Sequence, residues 1–166
     1  MTPAPRENQD TDDLIAELGV KDGVARQRAR EELVAMGKSV TPQLLPLLEH
    51  RSETVRWEAA KILVSLADAR SVPALVESIR DEDQDVRWLA AEALAAIGRP
   101  SLAPLLEAMV EEKEANLYLR EGVHRVLHEL RDTELGEIVT PVYDAVSRSA
   151  SVDAVVAAKH ALEKLR

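Results

Sequence analysis

The apolar residues of this chain return at spacings of three and four, in stretches about a dozen residues long with short polar breaks between them. In the stretch from Gln84 they are Val86, Ala90, Ala93, Leu94 and Ile97. In the stretch from Glu53 they are Val55, Ala59, Ile62, Leu63 and Leu66. Residues three and four apart share one side of an α-helix, so each stretch predicts an amphipathic helix with one buried face. Gly37 and Gly98 follow two of these stretches, where a left-handed helix end favours glycine.

Aligned on one arginine, the stretches become copies of one another. "DGVARQRAREELVAMG" starts at Asp22, "SETVRWEAAKILVSLA" at Ser52 and "DQDVRWLAAEALAAIG" at Asp83. "NLYLREGVHRVLHELR" at Asn116 is fainter, and "SVDAVVAAKHALEKLR" at Ser151 is fainter still, with Val155 in the arginine's place. All five starting residues are good N-caps, whose side chains can accept from a first-turn N–H. Between the copies lie shorter stretches with a proline near the start of each: Pro42, Pro73, Pro104 and Pro141. Proline is tolerated in a helix's first turn, where N–H groups have no intrahelical partner. "DDLIAELGV" fills the same role before the first copy. The pattern predicts ten helices in five two-helix units, with a disordered tail over residues 1–10 and one domain over residues 11–166.

The motif Asp-x-x-Val-Arg-x-x-Ala-Ala-x-Ala-Leu-x-x-Ile-Gly runs almost in full through Asp83, Val86, Arg87, Ala90, Ala91, Ala93, Leu94, Ile97 and Gly98. It resembles the HEAT-like repeats of phycobilin lyases. The second copy matches well and the first less so, with Glu32 at a position held by Ile62 and Ala93 in its neighbours. The resemblance implies an all-α fold, a right-handed α-solenoid of about five two-helix repeats. One helix pair cannot bury its own apolar face, so neighbours stack into a continuous core and atypical end units serve as caps. The resemblance also implies that Arg26, Arg56, Arg87 and Arg120 form a structural ladder with acidic residues. Each lies four residues after a cap, within reach of carboxylates and carbonyls of adjacent turns.

Composition narrows the chemistry. Apolar residues are 46% and charged residues 31%, a soluble globular balance, while aromatics are only 2%. There is no cysteine, which removes disulfides, thiolate zinc sites and cysteine nucleophiles. The net charge of −9 opposes nucleic acid as a partner, because backbone binding requires clustered Lys and Arg. No secretory h-region or membrane-length apolar run is present, so the sequence predicts a cytoplasmic protein with no membrane association.

Candidate catalytic groups are sparse. Glu121, His124 and His128 can share one helix face, but "HRVLHEL" lacks the H-E-x-x-H order of metalloproteases. Deoxyhypusine hydroxylase, a HEAT-like enzyme, binds iron through repeated His-Glu pairs; here His128-Glu129 has no second copy. The acidic runs Arg80–Asp85 and Glu111–Glu114 read as solvated turns between helices. No catalytic, metal-binding or cofactor-binding residue is assigned, and no cofactor is expected.

What remains is a surface. The resemblance implies that the Val-Arg helices line the concave face, and that the two residues after each arginine, with those a turn later, point away from the core. The expected partner-binding residues are Gln27, Arg28, Trp57, Glu58, Lys61, Trp88, Leu89, Glu92, Glu121 and Arg125, with Val156, Ala157 and His160 extending the rows. Trp57 and Trp88 are the only tryptophans and fall at equivalent positions. Tryptophan is enriched at binding hot spots, although an indole can also cover a seam between helices. The expected function is an interaction scaffold that takes a partner protein or peptide on this face, with a homodimer through Trp57 and Trp88 as one form of partner. The resemblance also implies an alternative, a phycobilin-lyase-like enzyme or chaperone acting on a chromophore-bearing protein.

Overall fold

The computed structural model of the protein describes residues 6–112, 116–148 and 151–166. Each arginine-bearing stretch is a helix: α2 (Gly23–Ala35), α4 (Glu53–Leu66), α6 (Gln84–Ile97) and α8 (Leu117–Leu130), called B helices here. Their starts are set by the expected caps. Asp22 accepts from the N–H groups of Val24 and Ala25, Asp83 from those of Asp85 and Val86, and Asn116 from that of Leu119. Ser52 has the same extended backbone but makes no such bond. The cap expected at Ser151, where α10 (Ser151–Leu165) begins, lies outside the described side chains.

The A helices are α1 (Arg6–Glu17), α3 (Thr41–Leu44), α5 (Val72–Ser78), α7 (Arg99–Glu111) and α9 (Gly136–Ser147). Among the described residues there is no strand, and no helix is long and apolar enough to cross a membrane. Short α3 is flanked by 3-10 turns at Gly37–Val40 and Leu45–Glu49, because Pro42 and Pro46 each remove an N–H that a longer α-helix would use. Pro73 sits in the first turn of α5 as expected. Pro104 and Pro141 do not: α7 and α9 start earlier, which puts both prolines one turn inside, and Pro100 takes the first-turn place in α7. Helix α1 likewise starts at Arg6, inside the residues expected as a tail, since neither glycine nor proline interrupts residues 6–18. Residues 1–5 of that expected tail lie outside the described residues.

Helices α2, α4, α6 and α8 lie side by side in one layer, and the α3 segment, α5 and α7 stack in a second. Leu33, Ile62, Leu63, Leu75, Leu94 and Leu105 are fully buried between the layers. Each such side chain contributes about 1.5–3 kcal/mol by leaving water, so the layers are held mainly by aliphatic burial. The predicted stripes of α4 and α6 are all buried except Ile97, which is half-buried.

The last unit departs from the pattern. Helix α9 packs on α8, and α10 packs on α7 and α9, so the two helices exchange layers. Val155 supplies no guanidinium to dock α10 on α8. Instead the Arg120 guanidinium donates to the Val146 carbonyl of α9 at 2.5 Å. The ring of Tyr143 on α9 also lies 4.7 Å from that of His124 on α8. Val156, Ala157 and His160, expected to extend the rows of the B layer, therefore sit on the other layer, and α9 fills their place.

The arginines tie turns to helices. Arg26 Nη1 donates to the carbonyls of Val20 and Lys21, Arg56 Nη1 to that of His50, and Arg87 Nη1 to those of Asp81 and Glu82. Each closes the turn that precedes its own helix. Arg56 also reaches the next unit, with Nε and Nη2 on Asp81 at 2.8 and 3.0 Å. The side chains of His50 and Asp81 take equivalent places, accepting from the N–H of Ser52 and Asp83. Between α2 and α4 the tie is different: buried Glu58 accepts from Arg26 at 3.3 Å and Arg30 at 2.5 Å.

Two substitutions test these arguments. Ala67 ends α4 with φ +45°, in the left-handed region, at the position that Gly98 takes after α6. Ala67→Gly should raise the unfolding free energy by about 0.5–1 kcal/mol in urea melts, relief of strain outweighing the entropy added to the unfolded chain. Glu58→Ala leaves two guanidiniums unpaired against a seam, and unfolding should become easier by roughly 2 kcal/mol. An unchanged melt would show that the Glu58 tie is dispensable.

Candidate partner-binding site

The turn of an α-helix, 3.6 residues, decides which expected residues face outward. Trp88 and the residue four later, Glu92, point from α6 in nearly one direction, as do Glu121 and Arg125 on α8. The residue directly after each tryptophan is rotated about 100° from it, toward a neighbouring helix. That rotation corrects two expected site residues. Glu58 is buried and spent on Arg26 and Arg30 of α2, and Leu89 is buried in the core. The same position in α8 is Gly122, where a Cβ would collide with the side chain of Ile79 at the C-terminal cap of α5. In α2 it is Arg28, which has no preceding B helix to meet and pairs with Glu17 of α1 at 2.8 Å.

The remaining expected residues lie on the B-layer surface. Gln27 is exposed and donates to Glu31, Lys61 and Glu92 are half-buried, and Glu121 is exposed. The two tryptophans are not equivalent. Trp57 is half-buried against the core, with the Arg30 guanidinium 5.5 Å from its ring. It borders a small hollow with Arg26, Glu53, Thr54, Asp83 and Asp85. Trp88 is 50% exposed and lines a different, larger hollow.

That larger hollow, about 560 Å³, lies between α6 and α8 and is walled by the end of α9. Helix α6 supplies Gln84, Arg87, Trp88 and Ala91. Helix α8 supplies Leu117, Tyr118, Arg120, Glu121, Gly122, His124 and Arg125, and α9 supplies Val146 and Ser147. The hollow exists because α9, not α10, follows α8 in the layer. Leu117 and Tyr118 are large and exposed at their mouth of the groove, in the first turn of α8. Two guanidiniums lie on aromatic faces. Arg125 covers the ring of Trp88, and Arg87 lies 4.0 Å from the ring of Tyr118. Stacking of this kind holds a guanidinium in place while its in-plane N–H groups stay available to a partner.

His124 belongs to this wall. His124 Nε2 is 3.1 Å from Ser147 Oγ, and its ring packs on Tyr143. Burial, and secondarily the nearby His128 and Arg120, holds the His124 imidazole below its ordinary pKa. His128 also lies beside Tyr143, 5.9 Å between centroids, and 3.8 Å from Glu129. Among the described residues no three His, Asp or Glu side chains gather as a metal site. Burial also lowers the pKa of Arg125, against the opposing pull of Glu129 and Glu92.

Sequence reasoning reached Trp88, Glu121 and Arg125 but read Arg87 and Arg120 as structural only and passed over Leu117 and Tyr118. A signal was present. Leu117 and Tyr118 stand where the second and third copies carry Glu53-Thr54 and Gln84-Asp85, so two large side chains replace the polar ones of those copies.

The model for HEAT repeats matches residues 11–85 and 41–127. Among solved structures, the chain is similar to an engineered protein at 18% identity, with 94% of this chain and 79% of that chain covered and a TM-score of 0.45. It is also similar to a designed armadillo repeat protein in complex with a (KR)4 peptide, at 17% identity, covering 92% and 86%, with a TM-score of 0.41. A comparison with curated proteins gives no match. The matching model describes HEAT repeats as a class, so the narrower kinship with phycobilin lyases gains no support from it. The matched residues span most of the chain and contain every B helix of the regular stack except the end of α8; the chain belongs to the HEAT-repeat family.

Proposed function

We propose that the chain is a protein-interaction module, a single HEAT-repeat domain over residues 11–166 that takes a partner segment on its B-helix face. One observation carries the reading: Trp88, half exposed, stands in the hollow between α6 and α8 with a guanidinium on its ring. An indole kept at a solvent-facing hollow, in a chain with so few aromatic residues, is a binding anchor more than a packing element. Gln27, Arg28, Lys61, Glu92, Glu121 and Arg125 would line the path of the partner, with Trp57 partway along it on α4. Trp57 would add mainly packing, since it leans on the core. HEAT-repeat folds generally mediate protein interactions, which fits this use. An acidic, cysteine-free module of this kind suits the cytoplasm.

The test is capture from the native source by immobilised wild type and by Trp88→Ala, followed by mass spectrometry. The variant should lose the partner while its helicity is unchanged and its unfolding free energy shifts by no more than about 0.5 kcal/mol. Equal capture by both proteins would remove Trp88 from the site. A second copy of the chain as the partner would show as a dimer in sedimentation that Trp88→Ala dissociates.

A further inference from the structure

In this chain of net charge −9, the described arginines of the B layer and its seams are mostly matched to carboxylates. Arg26 and Arg30 hold Glu58, Arg28 holds Glu17, Arg56 holds Asp81 and Glu82, and Arg80 holds Glu112. The hollow between α6 and α8 breaks this rule. Among the described residues, no carboxylate lies within ion-pair distance of Arg87, Arg120 or Arg125, all three of which line it. Among the described residues Glu121 is the one acid on its wall, against three guanidiniums and His124.

The three are also incompletely hydrogen-bonded. Arg87 spends only Nη1, on two carbonyls, and Arg120 spends only Nη2, on Val146. Arg125 has a buried Nε with no acceptor, and its guanidinium makes no hydrogen bond among the described residues. Two of the three are fixed on aromatic faces, which lowers the entropy lost when a carboxylate docks on the in-plane N–H groups. Beside them, Leu117, Tyr118 and Trp88 offer exposed apolar surface.

We infer that the hollow between α6 and α8 takes an acidic peptide segment, with Asp or Glu carboxylates on Arg87, Arg120 and Arg125 and an apolar side chain of the segment on Trp88, Tyr118 and Leu117. This rests on the interaction reading above and adds the chemistry of the partner to it. The neighbouring hollow at Trp57 has the opposite bias: Glu53, Asp83 and Asp85 border it, and its one arginine, Arg26, is tied to Glu58. The segment therefore lies with its acidic part toward α8.

The test uses three dye-labelled peptides that share leucines: (Glu-Asp-Leu)4, (Lys-Arg-Leu)4 and (Ser-Gly-Leu)4, titrated against the full chain by fluorescence anisotropy. The acidic peptide should bind at least about tenfold tighter than the other two, and more weakly as salt rises. Arg125→Gln should weaken it several-fold, and Trp88→Ala should too. Arg99→Gln, which removes an exposed guanidinium at the start of α7, should leave it unchanged. Arg87→Gln is the second probe in the hollow, with circular dichroism to show that its turn still closes. The inference is overturned if the acidic peptide binds no tighter than the neutral one, or if Arg99→Gln weakens it as much as Arg125→Gln. It is also overturned if a DNA oligonucleotide of equal charge competes as well as the peptide. Tight binding of the basic peptide, sensitive to Trp88→Ala, would sink the carboxylate assignment and leave the interaction reading standing. Loss of Trp88 dependence in partner capture, with acidic-peptide binding intact, would do the reverse.

Discussion

A B helix in the middle of this stack has neighbours on three sides: its own A helix across the layers, and a B helix on either flank. The side chains that satisfy those neighbours set most of the sequence. Aliphatic residues meet the A layer, the seam residue after each tryptophan position meets the preceding unit, and the arginine closes the turn ahead of its own helix. The positions near Trp88 and Glu92 in α6, and near Glu121 and Arg125 in α8, escape all three demands, as do Gln27 in α2 and Lys61 in α4. The proposed binding surface is what the packing leaves over.

The variety at the seams follows from how each unit meets that requirement. Glu58 joins α4 to α2 with an ion pair, Leu89 enters the core, and Gly122 lets α8 approach α5 without a side chain. These three solutions occupy the same repeat position. An ion pair at a seam is costly to break yet adds little over a well-packed aliphatic residue, so their coexistence is physically unsurprising. The arginines show a similar economy. Arg56 serves two turns at once, Arg87 serves one and Arg120 holds the end of α9 instead, and the last two keep N–H groups in reserve.

Much of this was legible in the sequence, and the exceptions have physical causes. Periodicity placed every B helix and, but for half-buried Ile97, the buried stripes of α4 and α6, and cap chemistry fixed the starts at Asp22, Asp83 and Asn116. The amphipathic template assumes one buried face, so it undercounted helices flanked on both sides; Ala60, Ala91, Leu89 and Glu58 are buried beyond it. Self-similarity reports what kind of helix a segment forms and not which layer it joins. The exchange of α9 and α10 was therefore invisible, although Val155 in place of arginine marks the unit where it happens. The hollow depends on that exchange, which is why only part of it was anticipated.

The ties between units are also short in sequence. Arg26 and Glu58 are 32 residues apart, as are Arg80 and Glu112, and Arg120 reaches Val146 across 26. No described hydrogen bond waits for distant parts of the chain to meet. Loop-closure entropy is then paid in small instalments, and structure can spread along the stack from whichever unit forms first. The same locality works in reverse. A terminal unit can peel away at the expense of its own interface alone, so the protein has a gradient of local stability rather than one threshold for the whole.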